Sequence, residues 1–178
     1  TLEAQPRLGE NLTRPIQFQL QPSIGVKLTP HWSVASGYGW INNLLTDRWE
    51  HRTWQQVLHE SHWKQLSIQN RIRLEERFFE KNSEVGVRGR YQVRLTHPLG
   101  HHNRWYLVGF NELFVGLNNV NEGPQAGYNQ NRSFLGLGRQ LSKQIRAELG
   151  YQLQHINRRD PQPNRANHVI LMTVAISL

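Results

Sequence analysis

The sequence predicts an all-β fold, an antiparallel up-and-down transmembrane β-barrel of about ten strands with a polar, Arg/Glu-rich lumen. Three observations carry this. Polar and apolar residues alternate along most of the chain, the polar positions hold arginine and glutamate in rows, and the two longest predicted loops fall on the same side of the strand meander. Residues 1–178 read as a single outer-membrane β-barrel domain.

The alternation is clearest from Leu66 to Leu95. Gln69, Arg71, Arg73, Glu75 and Arg77 share one face, and Ile68, Ile72, Leu74 and Phe78 the other, a period of two that means a strand. After the polar turn EKNS, Arg88, Arg90, Gln92 and Arg94 alternate with Val87, Gly89, Tyr91, Val93 and Leu95. The pair is a β-hairpin with one apolar face and one dense in arginine. A row of guanidinium groups cannot sit unpaired in a dry core. It faces either water, in a soluble sheet, or the inside of a membrane barrel whose apolar face meets lipid.

Composition narrows the choice. Cysteine is absent, which removes disulfide, zinc-thiolate and cysteine-nucleophile chemistry. The formal charge of +8 comes mostly from arginine, the lysines being Lys27, Lys64, Lys81 and Lys143. Arginine dominates where planar, bidentate, partly buried pairing is needed. Because the basic residues alternate along strands and do not cluster in a loop or helix, no nucleic-acid partner is predicted. No apolar run approaches the ~20 residues of a membrane helix. The start, TLEAQPRLG, carries no basic-then-apolar leader, so the expectation is that any secretory signal has been removed or never existed.

In chain order, Leu2 to Leu8 is a weak strand whose proline suggests an edge. Ile16 to Leu28 alternates clearly, with Pro22 expected to form a bulge, and Thr29-Pro30-His31 is a tight turn. Trp32 to Trp40 sets Trp32, Val34, Ser36, Tyr38 and Trp40 against Ser33, Ala35, Gly37 and Gly39, the small set suiting a crowded interior. The two tryptophans lie roughly 20 Å apart along a tilted strand, near the ~25 Å between the aromatic girdles of a membrane barrel; two core tryptophans would read equally well from this strand alone. Trp49 to Leu58 is a strand with Glu50, Arg52 and Gln56 on its polar face, followed by HESH as a connector. Trp105 to Leu117, Arg132 to Leu141 and Ile145 to His155 follow, the last with Arg146 and Glu148 on the polar face and Tyr151 on the other. Trp32, Tyr38, Trp40, Trp105 and Tyr151 are the expected membrane-interface aromatics.

The C-terminal stretch puts Ile170, Met172, Val174, Ile176 and Leu178 on one apolar face opposite Thr173, Ala175 and Ser177. It resembles the C-terminal strand that outer-membrane barrels present to the barrel assembly machinery, with leucine where a terminal aromatic is usual. The loops at 118–129 and 157–167 are the longest and share one side, and an even strand number with long outer loops and short inner turns is a barrel pattern.

The segments EHRTWQQ, NRIRLEERF, RGRYQVRL, FNELFV and NQNRSFLGLG resemble the bacterial outer-membrane barrel family catalogued as a domain of unknown function, number 2490. The resemblance covers most of the chain after Ile16. It implies the outer membrane of a Gram-negative bacterium and no activity.

The expected functional feature is therefore a lumen charge network of Arg71, Arg73, Glu75, Arg77, Arg88, Arg90, Arg94, Glu112, Arg132, Arg146 and Glu148. Strand pairing places Glu75 near Arg90, Arg73 near Gln92 and Arg88 near Glu112, with Arg132 as a third partner of that glutamate. No catalytic residues, metal or cofactor are predicted. Ten-stranded barrels include surface proteases resembling the omptins, with paired Asp and Asp/His residues at the outer rim, but here the aspartates are Asp47 and Asp160, and Asp160 with His155 is the sole candidate pair. His59, His62, His97, His101 and His102 fall in or beside predicted inner turns, where solvated histidines are the simpler reading than a metal site. The expected role is structural or partner-binding in the bacterial outer membrane, with lipid, the assembly machinery and a further membrane or periplasmic protein as partners. The alternatives are a small anion-preferring channel and a soluble barrel that turns its apolar face inward onto an apolar ligand.

Overall fold

The computed structural model describes residues 1–9, 13–80, 82–100, 104–121, 124–158 and 163–176. The strands are β1 (Leu2–Gly9), β2 (Arg14–Lys27), β3 (Trp32–Asn43), β4 (Arg48–Trp63), β5 (Leu66–Phe79), β6 (Val85–Pro98), β7 (Trp105–Gly116), β8 (Gly127–Gln140), β9 (Ile145–Ile156) and β10 (Arg165–Ile176). They form one ten-stranded sheet in sequence order, an up-and-down meander. Hydrogen-bond register follows from the side-chain alternation, since a slip of one residue would exchange the two faces. Thus β9 and β10 pair without a break from Ile145↔Ile176 to Ile156↔Arg165, and β8 and β9 from Gln140↔Arg146 to Gln130↔Ile156.

Two local features differ from the sequence-based expectation. Pro22 forms no bulge: Leu20↔Trp40 and Ser23↔Gly37, on either side of it, stay in step. The proline removes a donor without shifting the register, and the irregularity falls instead between Arg7 and Leu8 on β1. HESH is not a connector but the last stretch of β4, which runs on to Trp63. The two residues Lys64 and Gln65 then make the turn, with Lys64 at φ 54°, the left-handed region that hairpin turns of this length demand.

The chain divides into two compact units, one of Thr1–Leu58, Ile72–Arg90 and Val115–Gly127, the other of His59–Arg71, Tyr91–Phe114 and Tyr128–Leu178. In both, burial inverts the ordinary rule. The polar faces are inside: Gln19, Gln21, Arg73, Glu75 and Arg88 are buried in the first unit, and Gln92, Glu112, Gln130, Glu148, Gln152 and Gln154 in the second. The apolar faces are outside, with Ile24 at 77% and Ile72 at 63% exposure in the first unit and Ile170 and Met172 at 68% in the second. Val174 and Ile176 continue that exposed row, while Leu178 lies outside the described residues.

Aromatic rings on the buried face lie where glycine makes room. A Cβ on Gly37 would meet the Trp54 indole, one on Gly138 the Tyr106 ring, and one on Gly136 or Gly150 the Phe134 ring. Gly136 and Gly150 are register partners, so one cleared patch of sheet serves one ring. Replacing Gly37 by alanine should lower stability by about 1–3 kcal/mol, the cost of overpacking, read as a lowered melting temperature in detergent; an unchanged melt would mean that Trp54 has somewhere else to go.

Candidate functional site

A β-strand sends alternate side chains to one face, so the buried face is fixed by residue parity. In the first unit β4 contributes Glu50, Arg52, Trp54 and Gln56, β5 contributes Arg73, Glu75 and Arg77, and β6 contributes Arg88 and Arg90. These form two carboxylate-centred clusters. Glu75 is 1% exposed. One of its oxygens accepts from Arg88, whose Nε lies at 2.9 Å and whose Nη2 also donates, and the other accepts from Arg90 Nη1 at 2.5 Å. Arg73 stands 3.9 Å from the same carboxylate. Arg73 itself donates through Nε and Nη2 to Gln56 Oε1 on β4, at 3.0 and 2.7 Å, and lies over the Trp54 ring at 3.8 Å.

Glu50 centres the second cluster. Arg52 and Arg77 both grip it bidentately, with Nε–Oε1 distances of 2.5 and 2.6 Å and Nη2–Oε2 distances of 3.1 Å. Arg77 also lies 4.9 Å from the Phe79 ring centre. The β7–β8 loop sends in a residue of its own: Val120 is 1% exposed, and its Cγ2 lies 3.4 Å from where a Cβ on Gly86 would sit, as the Phe79 ring does at 3.0 Å. Asn118 holds the loop down through bonds with the backbone of Val87 and Val85, and the Asn121 carbonyl and N–H pair with Asn82 and Glu84 at 2.7 and 2.6 Å.

In the second unit the pairs span longer steps across the sheet. Arg71 on β5 donates to Glu112 on β7 at 2.7 Å, passing over β6. Arg94 on β6 bonds Glu148 on β9, which also accepts from the Tyr106 hydroxyl of β7 at 2.9 Å. A β6–β9 bridge requires that this unit's sheet bend around its polar face. Elsewhere on that face buried glutamines stand beside rings, with Phe110 stacked on Phe134 at 4.9 Å, Val108 buried, and Arg132 over Phe114 at 4.7 Å.

Arg73, Glu75, Arg88, Glu112 and Glu148 are buried, Arg71, Arg77, Arg90, Arg94 and Arg132 are half-buried, and Arg146 is exposed at the start of β9. Of the expected pairs, Glu75–Arg90 is present as a hydrogen bond. Arg88 meets Glu75, and Arg71 supplies a bond to Glu112 that register does not suggest. Sequence reasoning left Glu50, Arg52, Trp54 and Tyr106 out of the network, although the first three share the parity of Gln56. Trp32, Tyr38, Trp105 and Tyr151 are exposed and Trp40 half-buried; Trp49, Trp63 and Tyr128 join them as exposed aromatics. Among the described residues no group of three histidines or carboxylates could hold a metal ion. Asp160, His101 and His102 lie outside those residues.

The arrangement binds carboxylates tightly, each central anion being held by two arginines. Removing the central anion leaves buried cations uncompensated, which typically costs about 3–5 kcal/mol. Glu75→Ala should therefore lower the melting temperature in detergent more than Glu50→Ala, whose cluster is less buried; equal, small shifts would mean that water reaches the Glu75 site.

A family model described as "Protein of unknown function (DUF2490)" matches residues 1–165. An uncharacterised protein of Methylorubrum extorquens is similar, 31% identical over 160 residues that span 84% of this chain and 68% of the relative.

Proposed function

We propose that this chain, which belongs to the family of proteins of unknown function DUF2490, is an outer-membrane β-barrel whose narrow lumen is largely filled by its Arg/Glu/Gln network and whose role is structural or partner-binding. The observation that carries the reading is the inversion of burial. Faces holding Ile24 and Ile72 in the first unit, and Leu135, Ile170 and Met172 in the second, at 61–77% exposure are costly in water and suit hydrocarbon, while in each unit arginines and glutamates lie on the opposite, buried face. Closed β-barrels are one of the two structures in which a chain can cross lipid. No helix of the described residues is long and apolar enough to cross a membrane.

Paired charges and stacked rings favour a filled lumen over an open one. Arg88 and Arg90 on Glu75, Arg52 and Arg77 on Glu50, and the loop residue Val120 near Gly86 occupy space that a conducting path would need. The expected result in a planar bilayer is insertion without discrete conductance steps; anion-selective steps altered by Arg88→Ala would favour the channel reading instead.

The outer face has its own test. Leu135→Arg should reduce folded stability in vesicles by about 2–4 kcal/mol if that position meets the bilayer interior. In water the same exposed substitution would change stability by about 0.5 kcal/mol at most. A near-neutral result, together with a protein that stays monomeric without detergent, would return the apolar face to the soluble reading.

A further inference from the structure

We propose that the polar face of the second unit carries a binding site for a small oxyanion, centred on Arg146. A cavity of about 220 Å³ opens there, lined by Arg71, Arg94 and Arg146 with a single carboxylate, Glu148, and by the neutral groups of Gln92 and Thr173 among others. A second cavity of about 360 Å³ shares Arg94, Arg146 and Glu148 with it. Guanidinium groups outnumber carboxylates three to one in the first cavity. The second adds Glu60, whose carboxylate accepts from the Gln69 amide at 2.8 Å.

The three arginines are not equivalent. Arg71 is anchored on Glu112 at 2.7 Å, and Arg94 on Glu148, which also holds Tyr106 at 2.9 Å. Those anchors orient two cations toward the cavity and use up Glu148. The Arg146 side chain, two residues before Glu148 on β9 and of the same parity, makes no hydrogen bond or ion pair with any described side chain. It is an exposed cation on the wall of an open polar concavity, with its donor fork free for a ligand. The ligand that suits it presents two or three oxygens and a charge of two, because a guanidinium binds such a group bidentately and the neighbouring anchored arginines add to the attraction. Phosphate is the type, whether free or as a headgroup ester. The inference does not depend on whether the opposite face meets lipid.

Calorimetric titration of the folded full chain in a neutral detergent, with inorganic phosphate and then glycerol phosphate as probes, tests it. Saturable phosphate binding is expected, weakened about 10-fold or more in Arg146→Gln, the loss of a charge-assisted bond, and unchanged in Arg139→Gln, whose guanidinium lies over Trp105 at 5.1 Å. Tighter binding of glycerol phosphate would assign a headgroup source, and equal or weaker binding a free anion. Heats indistinguishable from chloride at matched ionic strength, or equal affinity in Arg146→Gln, would overturn the proposal. Because the assay needs only folded protein, a negative result leaves the barrel reading to its own vesicle test.

Discussion

A guanidinium group removed from water must have its charge and its donors met, and this constraint organises the molecule. Placing an arginine at every second position of neighbouring strands commits one whole face to carboxylates, amides and ring faces. The structure meets the demand by sharing. Glu75 and Glu50 are each bonded by two arginines, while Arg73 takes Gln56 and the Trp54 ring. Because carboxylates are the scarcer partner, each is held by several fixed donors. Such sharing rigidifies the face, since moving one side chain would leave another buried charge exposed to a low dielectric.

The consequences pass to the backbone. A face packed with arginines and aromatic rings has no room for side chains everywhere, and glycine at 37, 136, 138 and 150 supplies the gaps. The opposite face is left with the aliphatic residues, and their exposure is the feature that any functional account has to explain. A bilayer explains it with the same alternation that builds the network. One pattern of period two thus sets register, burial and the proposed environment together.

Much of this was legible in the residues. Strand existence and parity follow from alternation, and Glu75–Arg90 follows from pairing β5 with β6 across EKNS. Pairs that step over a strand were not legible. Arg71–Glu112 skips β6, and Arg94–Glu148 joins strands far apart in sequence, so both depend on how the sheet bends. Trp54 was hidden for another reason: a tryptophan among polar neighbours suggests an interface aromatic, whereas its parity with Glu50 and Arg52 puts it on the buried face. Pro22 suggested a bulge because it lacks a donor, but a strand can lose one bond and keep its register. HESH looked like a turn because polar residues sit at both parities, yet Glu60 faces inward to accept from Gln69.

The most direct measurement is collision accessibility along β10, made possible by a chain without cysteine. Single cysteines carrying a nitroxide label would be placed in turn at Ile170, Leu171, Met172, Thr173, Val174 and Ala175 in protein reconstituted into lipid vesicles. The account predicts a period of two, with labels at 170, 172 and 174 reached by oxygen dissolved in the bilayer and shielded from a water-soluble nickel chelate, and labels at 171, 173 and 175 shielded from lipid. Equal access of the nickel chelate to 170, 172 and 174 would contradict it, because the apolar face would then stand in water.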